Sequence, residues 1–165
     1  MSGKGIKQRY QEAAYLDVGT EGQAKFALMN TGVSKLDDSP SAQTGSRRYI
    51  GDKSATKSIK GYDWSAPLEF YMIESEEAIA FIANIGRKEL TGDQAETDYV
   101  TVDLTGTKGA GGYPARKRRV AVEVSSIDDE DGELKGSGNL LGIGDWIEGT
   151  FDTAAMTFAP TVAGE

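Results

Sequence analysis

Two-residue alternation of apolar and polar side chains is the feature that most limits how this chain folds. In "TDYVTVDL", Val100, Val102 and Leu104 fall on one side, and Tyr99, Thr101 and Asp103 on the other. In "RKRRVAVEVSSI", Val120, Val122 and Val124 share a side; in "APLEFYMI", Leu68, Phe70 and Met72 do. A period of two marks strands that bury one face and wet the other. "AAYLDVG" and "AKFALMN" read as two strands joined by the turn "GTEGQ". "ATKSIKGYDW" and "APLEFYMI" read as a hairpin, with Pro67 near a strand start where no ladder N–H is needed. "GNLLGIGDWIEGTFD" and "MTFAP" read as closing strands.

Helical periodicity is convincing once, in "SEEAIAFIANIGRK" (residues 75–86 for the helix itself). Ser75 is the expected N-cap, with Glu76 and Glu77 suited to the positive end of the dipole. Ile79, Ile82 and Ala83 form a stripe that Phe81 and Ile85 widen, and Gly86 is the expected left-handed stop. About eight to ten short strands and one helix predict a mainly β chain: an antiparallel β-sandwich or partial barrel with one flanking α-helix. The 165 residues suit a single domain, 1–165.

One stretch does not fit a strand. "KLDDSPSAQTGSRRYIGDKS" (residues 35–54) has almost nothing apolar between Leu36 and Tyr49. A structureless loop of about twenty residues is rare in a compact domain unless it binds something or is disordered. Residues 1–12, polar and basic through Lys4, Lys7 and Arg9, read as a terminal arm that either stays disordered or orders against a partner.

Composition narrows the chemistry. The chain has no cysteine and no histidine. Thiolate nucleophiles, disulfides and the commonest zinc ligand are therefore missing, and catalysis would rest on carboxylates, Lys, Tyr or Ser. No enzyme activity and no cofactor are expected. With 18 Lys plus Arg against 26 Asp plus Glu, the net charge of −8 argues against gripping nucleic-acid phosphates over a broad face. No apolar run reaches membrane-spanning length and "MSGKGIKQRYQEAA" lacks a signal-peptide core, so membrane insertion is not expected and synthesis in the cytoplasm is.

Candidate motifs are weak. Placing Gly132 at the sixth position of a calcium loop puts Ile127 first and Gly138 twelfth, which removes both essential ligands from the acidic run Asp128-Asp129-Glu130-Asp131. A hairpin turn with Asp-Gly at its tip is the better reading. "GTKGAGGYP" has neither a P-loop ending nor a following helix. Arg116-Lys117-Arg118-Arg119 has no aromatic residue interleaved with it, and in a strand its charges alternate between faces. Trp64 and Trp146, beside Asp63 and Asp145, suit core or interface packing better than an exposed glycan platform.

Taken in order, several stretches over about residues 15–160 resemble the major tail tube proteins of long-tailed, non-contractile (siphovirus-type) bacteriophages. "KFALMNTGVSKL" is similar to the early strand pair leading into the family's long loop. "RRYIGDKSATKSIKGYDWSAPLEFYM" is similar to the return of that loop, with Tyr49-Ile50, Asp52 and Gly61-Tyr62 in typical places. "ELTGDQAE" resembles the loop after the helix, and "LLGIGDWIEGTFDTAAMTFAP" the closing hairpin. The resemblance implies a structural virion protein that forms stacked hexameric rings, a tail tube through which the genome is ejected. It implies tape measure and tail terminator proteins as partners, and DNA that passes without specific binding. It assigns assembly roles to the N-terminal arm (1–12), the long loop (36–55) and the C-terminal tail (161–165). Within these, Lys4, Lys7, Arg9, Tyr10, Asp37, Asp38, Arg47, Arg48 and Tyr49 are the expected inter-subunit and inter-ring contacts. The loop is expected to be mobile in the free subunit and to order on assembly, and a ring of six copies would carry roughly −48, which suits a lumen that does not trap DNA. The inner tube of a contractile tail or injection machine, which shares the fold, and a monomeric β-sandwich that binds glycan or peptide are the alternatives.

Overall fold

The computed structural model describes residues 5–20 and 22–161, so Lys4 and residues 162–165 lie outside the described residues. The alternating segments become strands β1 (Glu12–Asp17), β2 (Phe26–Leu28), β3 (Val33–Leu36), β4 (Ala42–Arg47), β5 (Thr56–Tyr62) and β6 (Ser65–Tyr71). After the helix α1 (Glu77–Arg87) come β7 (Glu96–Asp103), β8 (Tyr113–Glu130), β9 (Glu133–Asp152) and β10 (Thr157–Pro160). Eight strands form one antiparallel sheet in the order β2-β1-β7-β8-β9-β6-β3, with β10 added to β9. The sheet is curled into a partial barrel with one flanking helix. β4 and β5 stand apart as a two-stranded sheet.

β8 and β9 are far longer than their apolar cores suggest. Their register runs from Tyr113↔Phe151 to Glu130↔Glu133, across a turn in which Asp131 and Gly132 have φ of 54° and 87°. Two successive left-handed residues are what a two-residue hairpin requires to match strand twist. The acidic residues Asp128, Asp129 and Glu130 are thus strand rather than turn, and all three are exposed.

Alternation sorts the core into two clusters. Ala14, Leu16, Ala66, Leu68, Phe70, Tyr99, Val120, Val122 and Leu140 pack with Ile79, Ile82 and Ile85 of α1. Tyr15, Phe26, Val100, Val102 and Phe151 pack in the second, with Phe158 against them. β7 contributes to both, so Tyr99, expected to face outward, is buried. A central strand covered on both faces loses the polar side that alternation assigns to it.

Three further expectations are corrected. β5 does not pair with β6: it turns back on β4, while β6 lies between β3 and β9. The reason is burial. Ala66, Leu68 and Phe70 need the core, whereas Lys57, Ser58 and Lys60 have nothing to bury. Gly86 is not the helix stop, since the left-handed residue is Glu89 (φ 52°). A Cβ on Gly86 would sit 2.7 Å from Cγ1 of Val124, so this glycine lets α1 lie close on β8. Ser75 does not cap the helix either; Glu76 occupies the N-cap position without a side-chain bond, and Glu77 pairs with Lys25 at 2.5 Å.

Candidate assembly site

The polar stretch read as a structureless loop contains β4, which pairs with β5 from Ala42↔Tyr62 to Arg47↔Thr56. Nearly every residue of both strands is exposed. At the tip, the Tyr49 N–H donates to Asp52 Oδ2 and the Asp52 N–H donates to the Tyr49 carbonyl, both at 3.0 Å. This tight turn presents Tyr49 at 62% exposure and Ile50 fully exposed, while Ile59 and Tyr62 are exposed along the strand. A lone two-stranded hairpin is marginally stable in water, and exposed aromatic and branched side chains on it mark a surface that other groups cover.

The root of this arm is fastened to the sheet. The Trp64 indole N–H and Arg116 Nη2 both donate to Asp38, the latter at 2.7 Å. Trp64, 5% exposed, lies edge-on to Trp146 at 5.0 Å and 5.9 Å from Tyr99. The Arg116 guanidinium sits 4.0 Å from the Trp146 ring, and Arg118 lies 5.2 Å from Trp64 and 5.6 Å from Trp146. Arg118 Nε is buried with no hydrogen-bond partner among the described residues, and the space for this guanidinium exists because Gly142 has no Cβ. Burial raises the Tyr99 phenol well above its ordinary value. The basic run therefore does have an aromatic platform, supplied by Trp64 in the link between β5 and β6 and by Trp146 of β9. Its other members leave on the opposite face: Lys117 reaches Asp98 at 3.9 Å, and Arg119 reaches Glu96 at 3.6 Å and Asp98 at 3.5 Å.

The N-terminal segment closes over the same region. Lys7 Nζ lies 2.9 Å from Asp103 and 3.5 Å from Glu12. Arg9 donates to the carbonyls of Glu12 at 2.7 Å and Leu36 at 3.3 Å, tying the segment to β3. The Thr105 hydroxyl, then Lys7, hold the Asp103 carboxyl down to about 2, and Asp103 in turn raises Lys7.

The residues expected at interfaces thus divide. Lys7, Arg9 and Asp38 are engaged within the chain, and Asp37 stands 3.8 Å from Lys35 while its N–H donates to the Pro67 carbonyl. Tyr10, Arg47, Arg48 and Tyr49 are exposed, and among the described residues neither arginine has an ion-pair partner. Sequence reasoning missed Trp64, Trp146, Arg116 and Arg118 as one cluster; the Asp38–Trp64 separation of 26 and the Asp38–Arg116 separation of 78 carry no local signal. Among the described residues no group of three or more His, Cys, Asp or Glu side chains could hold a metal ion, and no helix is long and apolar enough to cross a membrane.

No family model and no curated protein matches the chain. Among solved structures, a chain of the anti-feeding prophage (AFP) baseplate, solved by cryo-EM and six-fold symmetrised, superposes with a TM-score of 0.52 at 11% identity. That match covers 91% of this chain and 98% of the other. A chain from the tail of an empty GTA particle, helically refined with C6 symmetry, superposes with a TM-score of 0.53 at 13% identity, covering 86% and 97%. At these identities the likeness is one of fold: this partial barrel with its flanking helix is similar, over nearly the whole of both chains, to components of two six-fold symmetric assemblies.

Proposed function

We propose that this chain is a structural, non-enzymatic subunit of a phage-type tail, which self-assembles into hexameric rings stacked as a tube. In that role it is a major tail tube protein of the long-tailed, non-contractile type, located in the virion and surrounding a lumen for DNA ejection. Tape measure and tail terminator proteins are its other partners. One observation carries the reading: a sheet that matches six-fold symmetric tail and baseplate chains end to end also puts out an arm whose apolar side chains the subunit leaves uncovered. Covering that arm on another copy is the simplest use of it.

The likeness to a baseplate chain favours a second reading of the same class, the inner tube of a contractile tail or injection machine. A lone glycan-binding module is disfavoured. Its tryptophans should stand free, whereas Trp64 is buried and Trp146 packs edge-on against Trp64 with the Arg116 guanidinium against its ring.

Negative-stain electron microscopy of the concentrated protein tests the proposal. Hollow tubes or stacks of six-fold rings are expected. A chain that stays monomeric at every concentration tried would overturn it.

A further inference from the structure

The charge of this protein is unevenly placed. Residues 42–62, the β4–β5 arm, hold five of the chain's 18 basic side chains and one of its 26 acidic ones, so an arm at +4 projects from a remainder at −12. The five are Arg47, Arg48, Lys53, Lys57 and Lys60, and none has an ion-pair partner among the described residues. The opposite excess is densest where β8 turns into β9. Asp128, Asp129, Glu130, Asp131 and Glu133 follow one another there without an intervening cation. Lys135 engages Glu130 at 3.2 Å, and the other four carboxylates have no ion-pair partner among the described residues.

These two hairpins leave the sheet at opposite ends of β6. The arm departs where Ser65 pairs with Ser39 and the Asp63 N–H donates to the Ser41 carbonyl. The acidic hairpin continues past the other end, where Tyr71 pairs with Lys135. Seven residues of extended strand place these ends roughly 20 Å apart.

Resting on the tube reading above, we propose that the basic β4–β5 arm of one copy docks on the acidic β8–β9 tip of a copy in the adjacent ring. Complementary patches at opposite poles form a head-to-tail contact, and a head-to-tail contact that does not close on itself repeats into an open stack. The pairing gives the stack a direction: basic ends meet acidic ends, and a reversed subunit sets like charges against each other. The exposed apolar residues fit the same contact, with Tyr49, Ile50 and Ile59 on the arm and Leu134, 47% exposed, beside the acidic tip. Because the charges are solvent-exposed before docking, stacking weakens as salt shortens the screening length.

The test is charge reversal and its compensation. In the full chain, R47E/R48E/K57E/K60E takes the arm from +4 to −4, and D128K/D129K/E130K/E133K takes the five tip carboxylates from −5 to +3. Each reversal alone is expected to raise the protein concentration needed for stacks, seen by negative stain and sedimentation, by about tenfold or more. The variant carrying both reversals, in which an acidic arm faces a basic tip, is expected to return it to near the wild-type value. If wild-type protein stacks and the arm-reversed variant stacks equally well, or if both reversals together fail to restore stacking, the docking is wrong while the tube reading stands. If wild-type protein forms neither rings nor tubes, the tube reading itself fails. Because the chain has no cysteine, a mixture of K57C and D129C copies gives an independent measurement under mild oxidation. Disulfide-linked heterodimers from assembled material support the contact, and their absence from well-formed tubes overturns it. Fluorescence anisotropy with labelled duplex DNA separates the competing use of a basic arm: binding lost in R47E/R48E/K57E/K60E while stacking persists would assign the arm to nucleic acid instead.

Discussion

Asp38 and Arg116, 78 positions apart, meet through a 2.7 Å contact between a carboxylate oxygen and Nη2, and the same carboxylate accepts the indole N–H of Trp64. One side chain thereby fastens the root of the β4–β5 arm to β8 and to the aromatic cluster beneath it. The ion pair is half-exposed and contributes under about 1 kcal/mol. Leaving the buried Trp64 donor without its acceptor costs about 1–2 kcal/mol more. Asp38→Ala should therefore lower the thermal unfolding midpoint of the unassembled chain by about 4–8 °C. Asp38→Asn, which keeps an acceptor for Trp64, should lose less than half of that. If Asp38→Ala shifts the midpoint no more than the exposed control Asp145→Ala, the fastening is not energetic.

Gly86 offers a sharper contrast, because helix propensity and packing point in opposite directions. In an exposed helix interior, Gly→Ala gains about 1 kcal/mol. Here the added Cβ would lie 2.7–3.1 Å from three atoms of Val124. Gly86→Ala should destabilise by about 1–3 kcal/mol in chemical denaturation. Adding Val124→Ala should recover part of the loss, giving a favourable coupling between the two sites.

These two cases show what the sequence carries and what it leaves out. Alternation disclosed the inward faces of β6, β7 and β8, and Asp131-Gly132 disclosed the long hairpin's turn, because both signals are local. Tyr99 was assigned the wrong side since nothing in "TDYVTVDL" tells that β7 is covered on both faces. Gly86 looked like a stop because its partner, Val124, is contributed by a strand 38 positions later. The Trp64–Trp146–Arg116–Arg118 cluster forms only once β6, β8 and β9 are in register, so no window of sequence contains it. Strand β4 was hidden for a different reason: a hairpin that buries neither face shows no alternation to read.

The Asp103 carboxylate, held by the Thr105 hydroxyl and then by Lys7, makes a prediction in acid. The Asp103 carboxyl titrates at about 2 in the fold against an ordinary 3.8, so it binds protons more readily in the unfolded chain. Its contribution is complete above pH 4 and is lost as pH falls from about 4 towards 2. Lys7 and Asp103 are both substantially exposed, so solvent screening keeps the effect below about 1 kcal/mol. In thermal unfolding of the unassembled chain, Asp103→Asn should lie closer to wild type at pH 2 than at pH 6. A constant separation across that range would rule out the linkage.

Removing the arm separates folding from assembly most cleanly. Ala42 and Tyr62 are register partners, and below them Ser39 pairs with Ser65, so the chain can be rejoined at that rung. Replacing residues 43–61 by Asn-Gly, a dipeptide suited to a two-residue hairpin turn, keeps the Asp38–Trp64 and Asp38–Arg116 contacts below the cut. Neither arm strand contributes a buried side chain, so little apolar burial is lost and the unfolding midpoint should move by no more than about 4 °C. Under the conditions in which the full chain forms tubes, the shortened chain should form none, although single rings can persist if their lateral contacts lie elsewhere. The measurement is negative stain beside calorimetry on the same sample. Tubes of normal length from an armless, stably folded chain would show that β4 and β5 serve some purpose other than joining subunits.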